Sequence, residues 1–354
     1  MKRLQGKKAK RMEHSAWGME WKENGNRRTE TGKRKTENLN NRSQMVTGKI
    51  LHWTVLLLIA GLASCGQPEE KEYYLFSTFR EPADKGLFLA YSEDGYHWTD
   101  LGGPWLSPEV GQQKVMRDPS VVKGPDGTFH LVWTSSWKGD RGFGYAGSKD
   151  LINWTEQKFI EVMPDTSTVN VWAPELFYDD ERQEYIIIWA STIPFKFEKG
   201  LEEERNNHRM YYTTTKDFIS FSEAKLFLDP GFSVIDAVIV KRDTADYVLV
   251  LKDNTRLMRN LKVAFANAPL GPYEQVSAAF TESFTEGPTV LKTGDQYLIY
   301  YDAYRDKKFG AARTADFIHF EDVSAEISLP PGHKHGTVFK AGKEIIDGLI
   351  KNKR

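Results

Sequence analysis

The 354-residue chain is close to neutral, at -1, with 13% aromatic residues and a single cysteine, Cys65. Residues 1–44 hold 13 Lys/Arg against 5 Asp/Glu, which leaves about -9 on the remainder. A basic nucleic-acid surface on the folded part is thereby excluded, as are an internal disulfide and a multi-cysteine metal site. The aromatic content suits an all-β fold, a carbohydrate-binding surface, or both.

Residues 1–44 carry almost no apolar period and read as disordered. Met45 to Lys49 then form a positive start, residues 50–60 a short apolar run, and Leu62-Ala63-Ser64-Cys65 a small-residue cleavage site. The run is too short for a comfortable membrane span. The tetrapeptide resembles a bacterial lipoprotein signal, in which Cys65 is lipidated and begins the mature chain. Met45 is then the expected start and residues 1–44 an upstream extension, with a membrane anchor bearing an incidental cysteine as the alternative. Residues 66–71 form a short acidic tether, and residues 72–354 the folded domain. An extracytoplasmic, membrane-anchored protein is expected.

From Glu72 onward the apolar residues alternate or run in short blocks, as at 72–78, 129–134, 185–190, 247–251 and 296–301. These are strand signals. Four turns share one pattern: Ser92-Glu-Asp94 to Trp98, Ser148-Lys-Asp150 to Trp154, Thr215-Lys-Asp217 to Phe221, and Thr314-Ala-Asp316 to Phe320. Each predicts a turn held by Ser/Thr and Asp side chains, with the aromatic buried at the next strand's start. Residues 266–273, ending in Tyr273, are a degenerate fifth copy.

Between the turns lie five strands with polar heads. They are Arg117-Asp118-Pro119-Ser120-Val121, Trp172-Ala173-Pro174-Glu175, Ile235-Asp236-Ala237, Glu286-Gly287-Pro288-Thr289 and His335-Gly336-Thr337. Asp118, Trp172, Asp236, Glu286 and His335 follow one another at 54, 64, 50 and 49 residues. Five units of four strands predict a five-bladed β-propeller. The last inner strand, 335–339, has no outer strands after it, and 72–78 and 86–91 have no inner strand before them. They are expected to share a blade and close the ring. A β-sandwich would not explain five units of one internal order.

In such a ring the inner-strand starts surround a central funnel. Asp118, Asp236 and Glu286 are expected to converge there at equivalent positions. Clustered carboxylates repel when charged, so at least one is expected to hold its proton. A protonated acid beside an ionised one is the pairing that glycosidic cleavage uses.

Together, in this order and spacing, the four motifs from Arg117 to Thr289 resemble glycoside hydrolase family 43, over about residues 72–340. The resemblance implies a five-bladed propeller and an inverting mechanism. It implies Asp118 as the general base, Glu286 as the general acid, and Asp236 as the group that raises and orients Glu286. His335 matches the place of an axial histidine near a water or a calcium ion. Calcium is thus admitted at His335 without being required.

Other residues carry a functional and a structural reading. Trp172 heads an inner strand and suits either a sugar platform or the core. Glu175, three residues on, is the second-rank carboxylate. Trp137, beyond Thr134-Ser135-Ser136, is placed to wall a subsite. Arg305, after the second strand of the acid's blade, suits either a sugar contact or a solvated loop.

The expected substrate is an oligo- or polysaccharide. The acids do not fix the sugar; the long charged loop 193–207 is expected to narrow the pocket toward exo action. An α-L-arabinofuranosidase trimming plant polysaccharide is favoured, with β-xylosidase, β-galactosidase or a non-catalytic glycan-binding propeller as alternatives. A sialidase is disfavoured because Arg117 is the lone arginine heading an inner strand. A mannoside phosphorylase is disfavoured because the inner strands supply no basic phosphate pocket.

Overall fold

Five antiparallel sheets make up nearly all the regular structure of residues 72–353, the part that the computed structural model describes. The alternating and blocked apolar runs become strands because each sheet is covered on both faces by neighbouring sheets. Blade one holds β1 (Tyr73–Thr78), β2 (Phe88–Ser92) and β3 (Trp98–Gly102), with β19 (Val338–Ala341) innermost. Blade two runs β4 (Arg117–Lys123), β5 (Phe129–Thr134), β6 (Gly142–Ser148), β7 (Lys158–Glu161). Blade three is β8 (Trp172–Asp179), β9 (Glu184–Ser191), β10 (Arg209–Thr215), β11 (Lys225–Leu228). Blade four is β12 (Val234–Asp243), β13 (Asp246–Asp253), β14 (Asn260–Ala266). Blade five is β15 (Thr285–Thr293), β16 (Gln296–Ala303), β17 (Lys308–Thr314), β18 (Glu321–Asp322).

The inner strands β4, β8, β12, β15 and β19 touch one another in a closed circle, so the molecule is a five-bladed β-propeller. Closure is as expected: β19 pairs antiparallel with β1, with Tyr73 opposite Ala341 and Phe76 opposite Val338. Hydroxyls on one inner strand fasten the next. Ser120 Oγ accepts from Leu176 N at 3.0 Å, and Thr289 Oγ1 from Val338 N at 2.9 Å. The main apolar clusters fill the wedges between neighbouring blades, for example Phe143, Ile187 and Trp189 between blades two and three. Burial of this kind is the main driving force for ring closure.

Three expectations need correction. Blade four has three strands; a single bridge from Phe265 to Glu274 stands where its fourth would be, at the degenerate turn copy. The fifth inner strand begins at Val338, so His335 precedes it in a segment whose neighbour Lys334 bridges to Phe79. Helix α1 (Lys343–Lys351) was not anticipated. Its Ile346 and Leu349 join the apolar wedge between blades one and two.

The four Asp turns are built alike. Asp150 Oδ1 accepts from Ile152 N (2.9 Å) and Asn153 N (2.7 Å), while Ser148 Oγ accepts from Leu151 N (2.8 Å). The same bonds recur at Asp94, Asp217 and Asp316. The most deeply buried turn residue differs from expectation. Trp98 is buried as expected, but Leu151, Phe218 and Phe317, one after the Asp, are fully buried at φ of +54 to +61, whereas Trp154, Phe221 and Phe320 are half-buried. The left-handed step swings the side chain under the turn.

Candidate active site

Every inner strand from β4 to β15 carries a bulge at its head. The pairing slips between Arg117 and Ser120, Trp172 and Glu175, Ile235 and Val238, and Glu286 and Thr289. The residue at the slip is left-handed: Asp118 (φ 51), Ala173 (φ 45), Asp236 (φ 50) and Gly287 (φ 57). A bulge re-aims a side chain, and Asp tolerates this region better than most residues. Asp118 and Asp236 are therefore equivalent. Glu286 is not: it stands one position earlier, level with Arg117, Trp172 and Ile235. Gly287 occupies the slip because a Cβ there would fall 2.0 Å from His335 Cγ.

Asp118, Asp236 and Glu286 nevertheless line one cavity of about 500 Å³ at the mouth of the funnel, with Trp137, Trp172 and His335. His335 Nε2 lies 2.8 Å from Asp118 Oδ1, and its Nδ1 lies 3.9 Å from Glu286 Oε1 and 3.8 Å from Asp302 Oδ2. The imidazole thus bonds to Asp118 and faces Glu286 and Asp302 with its other nitrogen. Thr134 Oγ1 donates to Asp118 Oδ2 at 2.8 Å and accepts from Ala173 N, locking that carboxylate to blade three. Asp236 Oδ2 accepts from Gly287 N at 3.1 Å. Lys252 Nζ donates to Glu286 Oε2 at 2.8 Å, and Lys334 Nζ to Asp302 Oδ2 at 2.9 Å.

The charges sort the acids into two states. Burial pushes the Asp118 carboxyl up, but the His335 hydrogen bond and charge, then Arg117 and Thr134, outweigh it and hold the group below its usual range. Burial also opposes ionisation of Glu286, yet the Lys252 and His335 charges win and lower it. Asp236 goes the other way. Burial raises it, the Lys252 and His335 charges offset this only in part, and the Glu286 and Asp118 charges add to the rise. The proton expected on Glu286 is therefore favoured on Asp236, because Lys252 sits on Glu286. Burial lowers His335, but its bond to Asp118 and the surrounding carboxylates outweigh this and raise it well above the usual histidine range.

Trp137 and Trp172 form a wall. Their rings meet edge to face at 5.5 Å, and Trp172 Nε1 donates to Trp137 O at 3.0 Å. The Arg117 guanidinium lies 4.0 Å over Trp137. From the loop 193–207, Asn206 reaches the cavity rim. Glu175 is not in this cavity. It sits below, in a neck of about 20 Å³ on the axis, where Thr337 Oγ1 donates to Oε2 at 3.2 Å and burial pushes its carboxyl up to about 8. Arg305 also lies elsewhere: it is exposed, with its guanidinium 3.2 Å over the Phe284 ring, beside a second surface cavity. Tyr304 takes the inward position at that turn.

Lys252, Asp302, Lys334, Tyr304 and Arg259 were missed. Lys252 and Asp302 had a readable signal, a charge ending an otherwise apolar strand, and they pair across the sheet with Ile235 and Glu286. Calcium does not fit here. Glu286, Asp302 and His335 bring donor atoms within 4.8 Å of one another. Two ammonium groups already hold the two carboxylates, and calcium takes about six to eight oxygens.

A family model described as "Probable glycosyl hydrolase domain", related to glycosyl hydrolase family 43, matches residues 69–347. The chain belongs to this family. The resemblance carried by the inner-strand motifs is thereby met. An α-L-arabinofuranosidase of Bifidobacterium longum subsp. longum is 26% identical over 151 residues, 36% of this chain. The match spans 14% of that relative's length. A thermostable family-43 glycoside hydrolase is similar in structure at 17% identity and a TM-score of 0.48, over 62% of this chain and 78% of that one. The α-L-arabinofuranosidase of Lactobacillus brevis is similar at 19% and 0.48, over 59% and 72%. An exo-β-1,3-galactanase of Phanerochaete chrysosporium is similar at 13% and 0.47, over 61% and 53%.

Proposed function

We propose that the protein is an inverting, exo-acting glycoside hydrolase that removes terminal α-L-arabinofuranosyl groups from plant polysaccharide. The observation that carries this is the convergence of Asp118, Asp236 and Glu286 on one cavity, with His335 bonded to Asp118 and Lys252 to Glu286. Inversion needs two carboxyls separated by room for a water. In this reading Asp118, ionised, takes the proton from water, and Glu286 protonates the leaving oxygen. Asp236 is the proton reservoir beside it. The arabinofuranosidase relative supports the choice of sugar. Anchoring outside the cytoplasm through Cys65 is proposed from the Leu62-Ala63-Ser64-Cys65 signal alone, since Cys65 lies outside the described residues.

A second reading follows from the raised Asp236: the donor is Asp236, and Glu286 stays an anion on Lys252. Leaving-group dependence separates the two. A variant lacking the acid keeps its rate on an activated aryl arabinofuranoside and loses it on an alkyl one. Glu286→Gln is expected to behave so. If Asp236→Asn shows that pattern and Glu286→Gln does not, the roles exchange. If arabinofuranosides, xylosides and galactosides all remain intact, the hydrolase reading fails.

A further inference from the structure

Among the described residues, five cationic side chains line the cavity: Arg117, Lys252, Arg259, Lys334 and His335. Four of them hold a carboxylate. Arg117 pairs with Glu81, Lys252 with Glu286, Lys334 with Asp302 and His335 with Asp118, all at 2.8–2.9 Å. Arg259 pairs with none among the described residues, although it is half-buried. It lies in the connection between β13 and β14, and its carbonyl accepts from Phe284 N (2.7 Å) and Thr285 N (3.0 Å). Arg259 is thus pinned beside the residue that precedes Glu286.

Two more polar groups on this side lack a protein partner. The Tyr304 hydroxyl is buried with no hydrogen bond. The Asn254 side chain lines the cavity in a residue only 5% exposed, and its backbone N–H alone is bonded, to Ser233 O. Tyr304 meets the Phe284 ring edge-on at 6.2 Å, and Lys252 Nζ lies 5.4 Å from the Tyr304 ring. Arg259, Asn254, Tyr304 and Glu286 all line the cavity, with Phe284 behind Tyr304.

A guanidinium stays charged at every relevant pH and offers a planar fork of donors. Sugar hydroxyls would satisfy the donors and leave the charge uncompensated. A carboxylate or sulfate would do both. If Glu286 protonates the leaving oxygen, as proposed above, this side holds the leaving group. We propose that the leaving-group side of the cavity, at Arg259 with Asn254 and Tyr304, binds an anionic sugar residue, a uronate or a sulfate ester. The side assignment rests on that functional reading; the charge assignment does not. The terminal sugar would then be cut from a backbone or branch that carries acid groups next to the scissile bond.

The test is calorimetric binding to the Asp118→Asn protein, which slows turnover. The probes are a uronate-bearing oligosaccharide, the same compound with its carboxyl reduced to a neutral alcohol, and a sulfated oligosaccharide. The expected result is about tenfold to a hundredfold tighter binding of a charged probe than of the neutral one, narrowing as salt is added. Which charged probe binds better identifies the group. Arg259→Gln should abolish the preference, and Arg259→Lys should keep only its salt-dependent part. Equal binding of charged and neutral probes overturns the inference, as does a preference that survives Arg259→Gln. A charge preference without hydrolysis of any glycoside by the unmutated protein would sink the functional reading and leave this one standing. Hydrolysis without the preference does the reverse.

Discussion

Two sets of carboxylates in this propeller invite comparison, those of the outer turns and those of the hub. The turn aspartates Asp94, Asp150, Asp217 and Asp316 are held low mainly by backbone N–H groups of their own turns, in the same bonding pattern each time. The hub acids share no such pattern. Asp118 leans on His335, Glu286 on Lys252, and Asp236 is pushed up by burial. Repetition marks what each blade needs to fold. Broken repetition, in groups that converge on one cavity, marks chemistry.

The comparison breaks first if hub variants behave like turn variants. Asp118→Asn and Glu286→Gln should each lower kcat by about 10²–10⁴ on a poor leaving group, with little change in Tm. A rate within a few-fold of the unmutated protein would place the chemistry elsewhere.

His335→Ala sharpens the contrast through pH. On the proposed mechanism Asp118 must be ionised, and His335 holds it below its usual range. Without it the Asp118 pKa rises, so the acid limb of the kcat/KM profile should move to higher pH by about 1–3 units. An unmoved acid limb would show that His335 does not act on the base.

Glu175 tests a hub acid outside the cavity. Its folded pKa, pushed up to about 8, exceeds that of an unfolded glutamate. The unfolded chain therefore releases the proton first as pH rises, and stability falls between the ordinary carboxylate range and about 8. Glu175→Gln should be the more stable form at pH 7, on the order of 2 kcal/mol, with the gain gone at acidic pH. Thermal unfolding at both pH values decides it; an equal gain at both would contradict the buried proton.

The smallest effect is expected at a turn. Asp150→Ala removes the carboxylate that Ile152 N and Asn153 N donate to. It should cost about 1 kcal/mol of stability and leave kcat unchanged. Loss of activity at full stability would erase the distinction between rim and hub.

Much of this was legible in the chain itself. Period-two patterning marked strands, the Ser/Thr–Asp turns marked blade edges, and the spacing of Asp118, Trp172, Asp236, Glu286 and His335 marked the ring. Blade four lost its outer strand at the one turn copy that departs from the pattern. Helix α1 escaped because nine residues with two buried apolar positions are too short for a clear period.

The sequence by itself determined the number of blades, the closure of the ring and the identity of the three hub acids, because strand alternation and turn chemistry are local. Tertiary structure alone decided which acid keeps the proton. That depends on Lys252, 34 residues before Glu286 in the chain, and on His335, which meets Asp118 from the far end of it. It also decided that Glu286 stands one step ahead of Asp118 and Asp236, since a bulge shows only when two strands are paired. It also set Arg259 in the cavity with no ion-pair partner among the described residues, because the loop's path is fixed by the Arg259 carbonyl accepting from Phe284 N and Thr285 N across the blade boundary.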